Sequence, residues 1–292
     1  MRTIMKSFRV CLQSVSLGLF ALAGLCPQAQ ATLLTYDGFN YTGGLSTQNG
    51  GSGWSDAWGA NNTGGGGSFT VASSGLTYSG LTTGGNAIFS SSGTSKIFRT
   101  LSASTNSTIG TSVYISVLLS QSAASFGDVT LFSGTTELFS FGDTYTGSAA
   151  STTYSIYRST GVGGGGYTSS GVSVDTTSTA QLLVMEINYV DATHTNLYLY
   201  LDPTISATAP DHTSSIISSS TSSVAASFIF DRIRLEGATT STLDELRIGT
   251  TFADVVGMSS IPEPSSYVAV FAAGCLGAAV WRRKRGGSGD RS

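Results

Sequence analysis

Between residues 32 and 260 the chain is cut into short runs of β-branched and aromatic residues, each bounded by Gly, Ser, Asn or Asp. Residues 112–120, Ser-Val-Tyr-Ile-Ser-Val-Leu-Leu-Ser, are typical; comparable runs occupy 96–101, 128–133, 137–141, 153–157, 181–190, 196–201, 227–235 and 243–248. Runs of this length with period-2 alternation read as strands, and the bounding residues supply the turns between them. No stretch of this region holds a sustained 3.6-residue apolar pattern, which excludes a helical bundle. The expected fold class is therefore all-β, nine or more strands in a sandwich or jelly roll built on one core. Gly64–Gly67, Gly163–Gly166 and Ser218–Ser223 read as low-complexity turns or loops.

Charge and cysteine narrow the chemistry. The 32–260 region carries six Lys/Arg against fifteen Asp/Glu, a balance of −9 that the whole-chain value of −3 conceals. Such a domain lacks the clustered cations that nucleic-acid phosphates demand, so no nucleic-acid partner is expected. Cys11, Cys26 and Cys275 all lie in the terminal segments, leaving the middle without thiolate ligands or a disulfide framework.

The two ends read as targeting segments. Residues 1–31 place Arg2, Lys6 and Arg9 before an apolar run, 10–25, and close on Ala29-Gln30-Ala31. That is the layout of a secretory signal peptide, so signal peptidase is an expected partner and Thr32 the expected mature start. At the other end Pro262-Glu263-Pro264 forms a stiff, extended kink. The uncharged stretch 267–281 follows, and Arg282, Arg283, Lys284 and Arg285 close it. As a helix of about 15 residues it spans roughly 22 Å against a hydrocarbon core of about 30 Å, a marginal transmembrane segment. The basic block holds its end on the cytoplasmic side and leaves everything upstream outside.

This order of kink, short apolar helix and basic block resembles the PEP-CTERM sorting signal of bacterial exported proteins. Residues 286–292, a polar tail beyond the basic block, depart from that pattern. The resemblance implies recognition by exosortase, a membrane-embedded protease, and transfer from a membrane-tethered precursor to the cell surface or exterior. Two further stretches, Tyr36-Asp-Gly-Phe-Asn-Tyr41 with Gly50-Gly-Ser-Gly-Trp54-Ser-Asp-Ala-Trp58, and Leu243 to Asp254, resemble the opening and closing segments of concanavalin A-like (LamG-like) modules. Residues 196–203 are similar to their penultimate hairpin region. The domain plan is thus a signal helix over 1–31, a concanavalin A-like jelly-roll sandwich over 32–257, the sorting signal over 258–285 and the tail.

Catalysis finds little support. Glu186-Ile-Asn-Tyr-Val-Asp191 has the spacing of a glycosidase strand, but Asn188 cannot ionise and Asp191 is short; a retaining enzyme needs two facing carboxyls. The region has only His194 and His212, in Thr-rich loop-like sequence that suits neither a zinc site nor a hydrolase triad. A non-enzyme is expected, with no catalytic residue and no required cofactor or metal. Trp54 and Trp58, four apart with Asp56 between, form a candidate sugar-stacking platform, or else core packing. Calcium is the candidate ion, since Asp128, Asp143, Asp191, Asp202 and Asp211 read as loop carboxylates. Asp244 and Glu245 are candidates to pair with Arg232, Arg234 or Arg247. The competing readings are a glycoside hydrolase of the concanavalin-like fold and a calcium-dependent lectin.

Overall fold

A computed structural model describes residues 33–59, 68–144, 151–160, 165–221 and 228–258. Fourteen strands run in the order β1 (Leu33–Asp37), β2 (Phe69–Val71), β3 (Ile88–Ser90), β4 (Thr94–Thr100), β5 (Ser112–Gln121), β6 (Gly127–Ser133), β7 (Thr136–Asp143), β8 (Thr153–Arg158), β9 (Gly166–Ser173), β10 (Gln181–Tyr189), β11 (Thr195–Leu201), β12 (Ile217–Thr221), β13 (Arg232–Ala238) and β14 (Ser241–Gly249). A four-residue helix, α1 (Phe252–Val255), follows β14. The strands form two sheets, one ordered β12-β11-β10-β5-β14-β3-β2 with β1 also on β14, the other β4-β13-β6-β7-β8-β9, and every pairing is antiparallel. The described unit is an all-β jelly-roll sandwich of two antiparallel sheets.

The core follows from alternation along each strand. Ile115, Val117 and Leu119 of β5 and Leu183, Met185 and Ile187 of β10 join one buried cluster with Val129 and Leu131 of β6, Phe139 and Phe141 of β7, and Ile233 and Leu235 of β13. Each such side chain contributes on the order of 1.5–3 kcal/mol on leaving water. The eight-stranded sheet is buried on its second face too. There Tyr114, Leu118, Leu182, Val184 and Tyr200 pack against Leu81, Phe252, Val255 and Val256, so β10 is buried at nearly every position. Helix α1 is held over this face by a capping box between Thr251 and Asp254 and by the Ser116 hydroxyl donating to the Val255 carbonyl at 2.6 Å.

One irregularity shapes the first sheet. Register shifts between Asp244 and Arg247 opposite β5, and Glu245 sits at φ +53°, a β-bulge that splits the far edge of β14. Thr242 and Leu243 then pair with β3, while Leu246 to Gly249 pair with β1.

The expected runs all meet strands, with three corrections. The run 227–235 enters its strand only at Arg232; Gly166, expected in a loop, opens β9 opposite Arg158; and Ser218, also expected in a loop, lies inside β12, where backbone pairing to β11 overrides the weak strand preference of serine. The signal segment 1–31, the segment 267–281, Pro262, Glu263, Pro264, Arg282, Arg283, Lys284, Arg285, Ala29 and Ala31 lie outside the described residues. Among the described residues no helix is long and apolar enough to cross a membrane.

Candidate functional site

On the six-stranded sheet the residues between the core positions face away from the core. Across β13, β6 and β7, Arg234 is opposite Thr130 and Thr130 opposite Ser140; Glu236 is opposite Asp128, and Lys96 of β4 opposite Glu236. Tyr157 of β8 continues the Arg234 row. All of these but Thr130, with Thr94, Phe126 and Glu137, line a cavity of about 440 Å³.

Its polar groups are tied together. Arg234 donates from Nη1 to Glu137 Oε2 at 3.1 Å and from Nη2 to Thr130 Oγ1 at 3.1 Å, and its Nη2 is ion-paired with Glu236 Oε2 at 3.2 Å. Lys96 Nζ lies 3.2 Å from the other Glu236 oxygen. Thr130 Oγ1 donates onward to Asp128 Oδ1 at 3.0 Å. Asp128 is buried, and that burial, followed by the charge of Glu236, pushes its carboxyl well above the usual range, while Arg234 pulls the other way. Phe126 and Tyr157, both half-buried, add ring faces to this charged floor. Acceptor carboxylates, fixed cationic donors and partly open rings form a set suited to holding hydroxyl-rich ligands.

The strands correct the reading of Asp128 and Asp143 as loop residues: both lie on strands, Asp128 in the groove and Asp143 outside it, and both are buried. Asp191 and Asp211 accept from Thr193 and Thr213 in tight polar turns, and Asp202 accepts the Leu182 N–H at 2.8 Å. Among the described residues no three His, Cys, Asp or Glu gather as a metal-holding group. Glu137, Glu236, Phe126 and Tyr157 were not singled out from the sequence. The available signal was Arg232, Arg234 and Glu236 alternating with Ile233 and Leu235, a charged face opposite a core face.

Trp54, Trp58 and Asp56 do not form an open platform. Trp58 is 0% exposed and its Nε1 donates to Asp37 Oδ2 at 2.8 Å. Arg99 meets the same Asp37 oxygen at 2.7 Å, lies over the Trp54 ring at 4.7 Å, and donates to Asn49 Oδ1 and the Gly50 carbonyl, each at 2.9 Å. Trp54 sits half-buried at 5.5 Å from Trp58, and Asp56 accepts the Thr100 N–H at 2.9 Å. These residues anchor the Gly-rich segment, and Trp58 has no face left for a ligand.

The strand once compared with a glycosidase motif also has a different arrangement. Glu186 is 1% exposed and accepts from Ser112 Oγ at 2.7 Å and Tyr200 OH at 3.0 Å. His212 Nε2 lies 3.3 Å from its second oxygen, with the imidazole stacked on Tyr198 at 3.9 Å, so His212 packs onto the sheet. Asp191 instead pairs with His194 at 2.9 Å in an exposed turn. Glu245 pairs with Arg247 at 2.7 Å, whereas Arg234 serves the groove.

Fold and site together define a two-sheet β-sandwich with a charged, ring-lined groove across its smaller sheet. Residues 260–284 match the PEP-CTERM protein-sorting motif, which marks the chain for exosortase-dependent export through the membrane. No curated protein matches the chain. Among solved structures it is similar to an endo-β-1,4-glucuronan lyase from the fungus Trichoderma reesei, at 12% identity over 77% of this chain and 98% of that one, TM-score 0.42. It is also similar to the carbohydrate esterase vb_24B_21 of the Shiga toxin-encoding bacteriophage phi24B, at 13% identity over 76% and 100%, TM-score 0.44. The CBM2 module of the evolved Dit of Lactobacillus casei BL23 phage J-1 follows at 9% identity over 76% and 98%, TM-score 0.38. Likeness at this level transfers no activity.

Proposed function

We propose that the chain is an exported, non-enzymatic protein of the cell surface or extracellular matrix whose β-sandwich holds polysaccharide in the groove of its six-stranded sheet. In this reading signal peptidase removes residues 1–31, the segment 267–281 tethers the precursor to the membrane, and an exosortase-type protease acts at the Pro262-Glu263-Pro264 tag. The observation that carries the binding role is the groove's composition: ion-paired acceptors and donors on a rigid sheet, bordered by Phe126 and Tyr157. Its ion pairs also favour binding over bond cleavage. Both oxygens of Glu236 face a cation, Lys96 or Arg234, so the carboxylate is already engaged within the protein rather than aimed at a substrate bond.

The full chain, solubilised from the envelope in mild detergent, is expected to be retained on polysaccharide recovered from the producing cells. Tyr157→Ala and Arg234→Ala are each expected to weaken retention about tenfold, the loss of one ring face or one charge-assisted donor set. Equal retention of wild type and both variants would remove the groove from the reading. New reducing ends or unsaturated products in the incubated polysaccharide would remove the non-enzymatic part.

A further inference from the structure

We propose that the groove selects an uncharged glycan over an acidic one, and that Glu137 enforces the selection. The inference rests on the polysaccharide-binding reading and adds the ligand's charge class. Two carboxylates, Glu137 and Glu236, share the groove with two cations, Lys96 and Arg234, and each cationic head already faces a protein carboxylate. A uronate or sulfate group entering here has to displace one of those carboxylates or lie against them. Either route meets like charge, the arrangement by which an interface rejects a wrong partner.

A sugar hydroxyl meets no such barrier. It donates to a carboxylate oxygen and accepts from the remaining Lys96 or Arg234 hydrogens without breaking an ion pair, because an ammonium carries three donors and a guanidinium five. The two Arg234 partners differ in access. Glu236 has a side chain 6% exposed and is held by two cations, whereas Glu137 has a side chain 29% exposed and is held by Arg234. Glu137 is therefore the carboxylate that an incoming anion contests, and its charge is the one that turns an acidic polymer away.

The test is the affinity of the full, detergent-solubilised chain for three soluble polymers of matched length: a neutral glucan, a polyuronate and a polyglucosamine, at physiological ionic strength. The neutral glucan is expected to bind at least tenfold tighter than the polyuronate. Glu137→Gln is expected to raise the ratio of polyuronate to glucan affinity by about tenfold, by freeing Arg234 Nη1 and removing the repelling charge. Polyuronate binding equal to or tighter than glucan binding overturns the inference, as does tightest binding of the polyglucosamine, which would make the groove a seat for cations. A ratio unmoved in a Glu137→Gln protein that melts like wild type removes Glu137 from the role. Binding of none of the three polymers overturns the polysaccharide reading itself, whereas unselective binding overturns only the selection. The wild-type comparison stands whether or not the variant folds.

Discussion

Asp143, at the end of β7, offers a test of how burial sets the pH response of this domain. Its Oδ2 accepts the Ser125 N–H at 2.8 Å and the Gln121 Nε2 at 3.0 Å, while Asp143 Oδ1 and Gln121 Oε1 are buried without a partner. Burial pushes the carboxyl from 3.8 up to about 7. A proton on Asp143 also gives the pair a hydroxyl to offer the Gln121 carbonyl, so that acid and amide satisfy each other. The folded state then binds more protons than the unfolded chain between pH 3.8 and about 7. This stability is fully present below the unfolded value and is lost as pH rises through the folded one. A gap of about three pKa units at about 1.4 kcal/mol each is worth roughly 4 kcal/mol in all. Of this, roughly 2–3 kcal/mol falls between about pH 5 and about pH 8, or roughly 5–10 °C in Tm for a domain of this size. Asp143→Asn keeps the acceptor, supplies an N–H to Gln121 Oε1 and cannot ionise. Urea unfolding across this range is expected to show the variant's advantage over wild type widening by roughly 2–3 kcal/mol from the acid end to the alkaline end. Asp244, raised to about 8 by burial, slopes the same way in both proteins, so the difference between the curves isolates Asp143. Parallel curves would refute the reasoning.

Three further outcomes are expected. Arg99→Met leaves Asp37 buried without its cation and should cost about 3–5 kcal/mol in urea unfolding; a loss under about 1 kcal/mol would contradict the anchoring role. Gly53, at φ +80°, has no room for a Cβ against the Leu34 carbonyl, whereas Gly43, at φ +82°, has nothing within 4 Å. Gly43→Ala should therefore cost only the backbone penalty of about 1–2 kcal/mol, and Gly53→Ala clearly more, by thermal melting. Glu263→Ala should leave unprocessed precursor in the membrane fraction, read by immunoblot against wild type; normal processing would show that the tag tolerates loss of its charge.

What this sequence determined by itself was local. Alternation along β5, β6 and β13 announced a strand with one apolar face, because successive side chains on an extended backbone must point to opposite sides. The bounding Gly, Ser and Asn marked where strands stop, and the ordered signature around Pro262-Glu263-Pro264 announced the sorting motif. The groove belongs to tertiary structure. Glu137 and Arg234 are 97 positions apart, and Lys96, Asp128 and Glu236 meet through pairings of β4 and β6 with β13 that no local pattern specifies. The same distance effect withdrew Trp58 from the surface, since its partner Asp37 lies 21 positions away and the cation they share comes from β4. Side-chain alternation is a property of one strand, while the choice of neighbour and register is settled only when the whole core closes.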